Sequence, residues 1–465
     1  MAEISPRKRI WGWMMFDWAS QPYNTLLLTF VFGPYFAQIV IGRLIVDGMT
    51  PEVARAEAQA YWGYGLTVSG LLIALLAPIL GAIADSTGRR MPWVWVFSVM
   101  YVIGAAGLWW SNPASFSILN LLFFFGVGLI GMEFATIFTN AMLPSLGEHK
   151  ELGAISGSGW AWGYVGGVIA LILMLVLLAE NDKGVTLIGI EPVLGLDPAA
   201  REGTRSVGPL TAIWFAVFMI PFFLWVREPR DTVVRGLPIA KGLADLWCTL
   251  RSLPRRASLT AYLGSSMLYR DALNGMYTFG GIYALGVLGW SVVNIGVFGI
   301  MAAITGAIFA WIGGRADRKF GPKPVITVCI VVLLFVAISV VLISREAVFG
   351  MPVAAGSSLP DIAFYVCGAL IGAAGGALQS ASRNMMVRQA DPARITEAFG
   401  LYALAGKATT FLAPATIAIM TDITGNQRLG VTPLIGLFLI GLILLFWVKP
   451  DGDKDTPWSA PARSA

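Results

Sequence analysis

The chain has 465 residues, 57% of them hydrophobic and only 13% charged, with a mean hydropathy of +0.73. A soluble chain carries about 25% charged residues, so a soluble enzyme, a nucleic-acid-binding module and a disordered chain are excluded as readings of the whole. The formal charge of +5 needs no acidic partner, because the cytoplasmic loops of a membrane protein collect Lys and Arg. Three cysteines (Cys248, Cys329, Cys367) and one histidine (His149) leave no disulfide framework, thiolate or imidazole metal site, or histidine proton relay. No metal and no cofactor is expected, and proton chemistry falls to carboxylates.

The chain opens on Pro6-Arg7-Lys8-Arg9 and runs apolar from Ile10 to Ile41. A signal peptide has an apolar region of about 7–15 residues. This run is far longer and contains Asp17 and Pro22, so it reads as a retained first span. Eleven further runs lie near 61–84, 93–111, 115–143, 154–179, 208–226, 259–287, 291–314, 324–344, 361–388, 397–421 and 430–448. Each is close to the ~20 residues that an α-helix needs to cross ~30 Å of hydrocarbon, which predicts an all-α membrane protein with twelve transmembrane helices. Between spans 6 and 7, Leu243, Leu246, Trp247, Leu250 and Leu253 fall at helical spacing among Lys241, Arg251, Arg255 and Arg256. That is the pattern of a helix on the inner membrane surface, with a plain tether as the alternative. The predicted organisation is a six-helix bundle over 1–227, this linker over 228–258, a second bundle over 259–449, and a polar, disordered tail over 450–465. With the N-terminus inside, 22 of the 32 Lys and Arg fall in cytoplasmic segments and seven outside, so both termini are expected in the cytoplasm.

Two stretches repeat across the midpoint. Gly81-Ala-Ile-Ala-Asp85-Ser86-Thr-Gly88-Arg89-Arg90 follows span 2, and Gly313-Gly314-Arg315-Ala-Asp317-Arg318-Lys319-Phe-Gly321 follows span 8, their aspartates 232 residues apart. Asp17 precedes Tyr23 by six residues in span 1, as Asp271 precedes Tyr277 in span 7. Internal repeats of this kind build many transporters. With these motifs the chain resembles the major facilitator superfamily, whose signature Gly-x-x-x-Asp-Arg/Lys-x-Gly-Arg/Lys-Arg/Lys is met at Gly81, Asp85, Gly88, Arg89 and Arg90. Ser86 stands where a base is usual, and the second copy, at Asp317 and Arg318, has one extra residue before Gly321. An Asp at a span end can cap the next helix and pair with bases of the other half, so these six residues, Asp85, Gly88, Arg89, Arg90, Asp317 and Arg318, are read as a gating motif. Phe16-Asp17-Trp18-Ala19, Asn140-Ala-Met-Leu-Pro144, the glycine-rich Gly157–Gly167 stretch, Tyr269-Arg270-Asp271, Gly376–Arg383 and Phe399–Pro414 resemble the vacuolar amino-acid effluxers linked to autophagy in fungi, and their bacterial relatives. The resemblance covers nearly the whole chain. It implies the two-bundle major facilitator fold with a cavity lined by spans 1, 4, 7 and 10, secondary transport, and a monomer.

Ionisable groups inside spans cost ~2.5–3.5 kcal/mol each at a helix centre. Six are present: Asp17, Glu133, Asp271, Arg270, Arg383 and Lys407. All but Lys407 lie on the four spans that the resemblance assigns to the cavity. Helical spacing adds Gln21 and Asn24 to Asp17, Asn140 to Glu133, Asn274 to Arg270, and Gln379 to Arg383. These eleven residues are the candidate solute-binding set, with Glu133 and Asp271 as proton-coupling candidates. For each charge the competing reading is a buried ion pair that fixes helix register, Lys407 above all. Gly159, Gly163 and Gly167 predict close packing of span 5 at the interface of the halves. Trp11, Trp93, Trp214 and Trp290 read as membrane-interface anchors.

The predicted function is secondary active transport of a small polar or zwitterionic, amino-acid-like solute across the cytoplasmic membrane by alternating access, with proton coupling as a further expectation. Charges of both signs suit a molecule carrying both carboxylate and ammonium. The alternatives are a lipid or amphiphile carrier of the same fold, and a membrane-embedded enzyme or sensor. The chain has no Gly-x-Ser-x-Gly elbow, and it is not read as an enzyme. The expected partners are the solute, the lipid bilayer and protons, with no nucleic acid.

Overall fold

The fold is that of a computed structural model, described for residues 4–181, 183–228, 239–290 and 292–453. Most of the predicted tail, from 454 onward, and linker residues 229–238 lie outside the described residues. In chain order the helices are α1 (Pro6–Pro22), α2 (Phe32–Val46), α3 (Pro51–Thr87), α4 (Met91–Gly107), α5 (Ile118–Asn140), α6 (Leu152–Leu173), α7 (Glu202–Arg205), α8 (Val207–Phe218) and α9 (Ile220–Trp225). They continue as α10 (Ile239–Ser252), α11 (Ala257–Gly286), α12 (Val292–Phe320), α13 (Pro322–Val341), α14 (Leu359–Gln389), α15 (Ile395–Ala408), α16 (Leu412–Thr424), α17 (Gln427–Gly430) and α18 (Pro433–Leu445). A two-residue hairpin, β1 (Ala347–Val348) with β2 (Met351–Pro352), joins α13 to α14. Among the described residues, 11 helical runs are long and apolar enough to cross a membrane. The 30-residue α11 is a further long helix.

Proline sets several starts. It occupies the first turn of α1, α4, α13, α14 and α18, where its missing N–H would have had no partner and its fixed φ suits the helix. Inside span 1 the same residue acts as a breaker. Pro22 ends α1, a π-helical stretch follows over Tyr23–Phe30, and Val31 leaves the helical region before α2 begins. Helix then continues to Val46, and α3 starts at Pro51, so the outside loop expected at 42–60 contracts to a tight turn around Gly48 at φ +97°. Span 11 is also two rods, α15 and α16, separated by Thr409–Phe411.

The described chain packs as two units. The first comprises Met1–Leu76, Arg89–Thr139 and Trp162–Val233; the second comprises Ala77–Gly88, Asn140–Ala161 and Val234–Ala465. In the first unit α1 is the core helix, burying Trp13, Phe16, Ala19 and, just past its end, Tyr23. The Trp13 indole donates to the Thr139 carbonyl at 2.8 Å, and the Tyr23 hydroxyl to the Phe125 carbonyl at 2.5 Å. The Glu228 carboxylate accepts the Arg90 and Met91 N–H groups at 2.7 and 3.0 Å, which caps α4. In the second unit the Ser382 backbone and side chain hold α11 to α14, through the Tyr262 hydroxyl at 2.6 Å and the Tyr269 hydroxyl at 2.7 Å. Between α9 and α11 lies α10, with Leu246 buried and Leu243, Trp247 and Leu250 exposed.

Two packing expectations need correction. The span-5 glycines do not share one neighbour. Gly163 and Gly167 lie against Asp17 and against Gln21 and Thr25 of the first unit, whereas Gly157 lies against Ala310 and Gly314 of α12 in the second. Trp214 and Trp290 are not interface anchors. Trp214 is buried and stacks on Trp18 with ring centroids 5.7 Å apart, and Trp290 is 2% exposed with its indole donating to Asp361 at 2.5 Å. Position near a span end does not decide whether an indole faces lipid or a neighbouring helix.

Candidate functional site

The first unit holds Asp17, Gln21, Asn24 and Glu133, all half-buried. Asp17 and Gln21 lie along the face of α1 that receives the α6 glycines. The second unit holds Asn140, Arg270, Asp271, Asn274, Gln379, Arg383 and Lys407. Asn274 is exposed and Arg383 is buried, its guanidinium carbon 5.2 Å from the centre of the Trp160 ring, a cation–π arrangement. Asn140 is half-buried at the end of α5, and Gln379 is half-buried one turn before Arg383.

Arg270 and Asp271 adjoin in sequence but serve different helices, because successive residues on an α-helix point about 100° apart. The Arg270 guanidinium lies over the Tyr402 ring at 4.2 Å, and its Nη1 donates to the Tyr402 carbonyl at 3.2 Å. A Cβ on Gly406, one turn further along α15, would fall 2.7 Å from Nη1, so only glycine lets the guanidinium rest there. Asp271 is 3% exposed and its Oδ2 accepts the Ala413 N–H at 2.8 Å, which caps the start of α16. Lys407 is half-buried in the last turn of α15. Tyr402 and Gly406 did not stand out as site residues in the sequence. The signals were their place in the Phe399–Pro414 stretch that carries the family resemblance and their i, i+4 spacing beside Lys407.

The two motif aspartates sit alike. Asp85 Oδ2 accepts the Glu397 N–H at 2.8 Å in the first turn of α15, and a Cβ on Gly81 would fall 2.6 Å from the Thr396 carbonyl. Asp317 is fully buried, accepts Asn384 Nδ2 at 2.9 and 3.0 Å, and abuts Gly153 in the first turn of α6. Neither caps the helix that follows it in sequence, as the motif reading expected. Both address the positive end of a distant helix, and the helix after Asp85 is capped by Glu228 instead. Gly88 takes φ +66° to end α3, Arg89 is exposed, and Arg318 approaches Glu151 at 3.8 Å.

A buried acid escaped the sequence reading. Glu180, at the edge of the fifth apolar run, accepts Thr204 N and Oγ1 at 3.0 and 2.7 Å and pairs with Arg201 at 3.3 Å. Next to it a cavity of about 920 Å³ is lined by Tyr35, Gln38, Arg43, Asp47, Asn181 and Arg201, among others. Tyr35 lies 18 residues from Asp17 along span 1, roughly 27 Å at 1.5 Å per residue, so this cavity is remote from Asp17.

Residues 5–455 match the profile of the family described as "Vacuole effluxer Atg22 like". The chain is 25% identical to the uncharacterized MFS-type transporter YxiO of Bacillus subtilis (strain 168), over 96% of this chain and 95% of that protein. It is 24% identical to autophagy-related protein 22-2 of Emericella nidulans over 63% of this chain, and spans about half of that longer relative (50%). Among solved structures, the human organic anion transporter MFSD10 matches with a TM-score of 0.69 at 14% identity, covering 95% of this chain and all of the other (100%). The proton:xylose symporter XylE matches with a TM-score of 0.65 at 12% identity, covering 95% and 94%.

Proposed function

Because the chain belongs to the Atg22-like vacuole effluxer family, within the major facilitator superfamily of multi-pass membrane transporters, we propose that it moves a small polar or zwitterionic, amino-acid-like solute by alternating access. The reading takes α11 as the seventh of twelve spans, α8 with α9 as the sixth, and α15 with α16 as the eleventh. It places both termini in the cytoplasm and the protein in the cytoplasmic membrane. The observation that carries it is Arg270, a cation in mid-span held in a made-to-measure seat, at a cost in membrane insertion that a purely structural helix has no reason to bear.

On this reading Asp17, Gln21, Asn24, Glu133, Asn140, Arg270, Asn274, Gln379, Arg383 and Lys407 are the solute-binding residues. Asp271 fixes the half-helix beside it. Glu133 is the proton-coupling candidate, since Asp271 already serves Ala413. The motif aspartates Asp85 and Asp317, with Arg89, Arg90 and Arg318 around them, hold the cytoplasmic side shut. The test is the purified full chain in liposomes loaded with amino acids, short peptides, sugars, nucleosides and lipid analogues, with export read by mass spectrometry with and without a pH gradient. Export of amino acids or peptides supports the reading. Export of only sugars or lipid analogues replaces its solute class, and an absence of any protein-dependent movement defeats it. Glu133→Gln should abolish the response of export to the pH gradient, and a response that persists removes Glu133 as the coupling group.

A further inference from the structure

At about 100° per residue, α10 presents separate faces. Gly242, Leu246 and Thr249 share one of them, and all three are buried. Gly242 is pressed on α3, where a Cβ would fall 3.1 Å from the Ile83 Cα, and the Thr249 hydroxyl accepts Arg394 Nη1 at 2.8 Å. Leu243, Trp247 and Leu250 lie about a quarter-turn further round and are exposed, Trp247 at 66%. Arg251 comes next on that side, and Arg255 follows in the short turn that leads to α11; both are exposed.

The buried contacts fix the depth of the apolar face. Ile83 lies four residues before the end of α3 at Thr87, and Arg394 two residues after the start of the helical run Pro392–Thr424. Both helices are long and apolar enough to cross a membrane. An element that touches the end of one span and the beginning of another sits where hydrocarbon gives way to headgroups. A contiguous apolar face rimmed by bases at that depth complements an anionic lipid surface, apolar side chains to acyl chains and guanidinium to phosphate.

The same two contacts bracket the Asp85 fastening. Asp85 Oδ2 accepts the Glu397 N–H at 2.8 Å, and Arg394 Nη1 lies 3.8 Å from a Glu397 carboxylate oxygen. Ile83, Asp85, Glu397, Arg394 and α10 thus close a ring of contacts, with Leu243, Trp247 and Leu250 on its outside.

We propose that α10 is a docking helix for anionic phospholipid, with Leu243, Trp247 and Leu250 among the acyl chains and Arg251 and Arg255 on headgroup phosphates, and that this docking tightens the Asp85–Glu397 fastening. A ligand shifts an equilibrium only as far as it prefers one state. Anionic lipid prefers α10 seated on Ile83 and Arg394, because that seat holds the apolar face at headgroup depth. The inference stands whatever solute the protein moves.

The test places the full chain in nanodiscs of phosphatidylcholine, alone or with phosphatidylglycerol, and follows labelling by a membrane-impermeant maleimide. Cys329 and Cys367 are buried, while Cys248 is exposed and lies off the apolar face, so native Cys248 is the reference and should label equally in both discs. Leu250→Cys, made with Cys248→Ser, should label about tenfold or more slowly with phosphatidylglycerol than without, since each of two bases at an anionic surface contributes roughly fivefold. Salt should shrink the difference. Arg251→Gln with Arg255→Gln should remove it, and Arg251→Lys with Arg255→Lys should keep it. Thr396→Cys, made with Cys248→Ser, should also label more slowly in the anionic discs, and the paired glutamine substitutions should remove that dependence too. Each variant is first shown to elute and melt like the parent. Where Thr396→Cys does not fold, hydrogen exchange over the first turn of α15, read by mass spectrometry, takes its place. Equal labelling of Leu250→Cys in both lipids overturns the docking. Fast labelling in both would mean an open face, and slow labelling in both a face covered by neutral lipid or by a second copy of the chain. Lipid-dependent labelling of Leu250→Cys with an indifferent Thr396→Cys overturns the link to the fastening.

Discussion

Truncating Asp271 separates a cap from a coupling group. The carboxylate is 3% exposed and accepts the Ala413 N–H at 2.8 Å. Asp271→Ala leaves that amide buried at the start of α16 without its acceptor. A buried hydrogen bond to a charged group contributes about 1.5–3 kcal/mol and a helix cap about 0.5–2 kcal/mol. The two figures describe the same bond, so the expected loss is about 2 kcal/mol and not their sum. Asp271→Asn keeps an oxygen acceptor of equal capping strength and should cost less than about 1 kcal/mol. Thermal unfolding of the full chain in detergent, followed by tryptophan fluorescence, is the assay. At about 2–4 °C per kcal/mol for a unit of 150–250 residues, the alanine variant should melt several degrees low and the asparagine variant close to the parent. Asp271→Asn should also retain export in liposomes. The reasoning is refuted if the asparagine variant melts normally yet no longer transports, because the charge would then act in transport. It is equally refuted if the alanine variant melts with the parent.

Three further outcomes follow from the packing. Glu180→Ala should destabilise the first unit by about 3 kcal/mol, since removing one partner of a buried pair costs roughly 3–5 kcal/mol and Arg201 retains some water; melting curves would show it, and Glu180→Gln should recover part. Gly104→Val should lower the melting temperature and yield, because its Cβ would fall 2.2 Å from Gly128 N and overpacking costs about 1–3 kcal/mol. Asp85→Ala should expose the start of α15. A cysteine introduced at the buried Thr396 should then react faster with a membrane-impermeant thiol reagent, and an unchanged labelling rate would count against the cap as a fastening.

The long apolar spans were legible because hydropathy over ~20 residues reports directly on a bilayer. The breaks in spans 1 and 11 were not, although Pro22 and Pro414 were in view. A proline says that one N–H is missing, and only the neighbouring helices decide how the chain regains its bonds. In the site, sequence marked Arg270 and Asp271 side by side; helical geometry sends one to α15 and the other to α16. Glu180 escaped because it lies where an apolar run ends, and nothing local announces that Thr204 and Arg201 return to it. The motif aspartates stood out by their duplication, while the helix starts they address, the first turns of α15 and α6, are hundreds of residues away in one case and over 160 in the other.

The gap at Thr409–Phe411 makes α15 a short stiff rod of its own. Asp85 tethers it at Glu397, and Arg270 leans on it at Gly406, nine residues along, or about 13 Å at 1.5 Å per residue. Because the joint lies just past Arg270, a nudge there tips the rod about a nearby fulcrum, and the tethered tip, further from the pivot, travels the greater distance. On the transport reading, a small displacement at the guanidinium would thus be enlarged at Glu397, where Asp85 holds the tip.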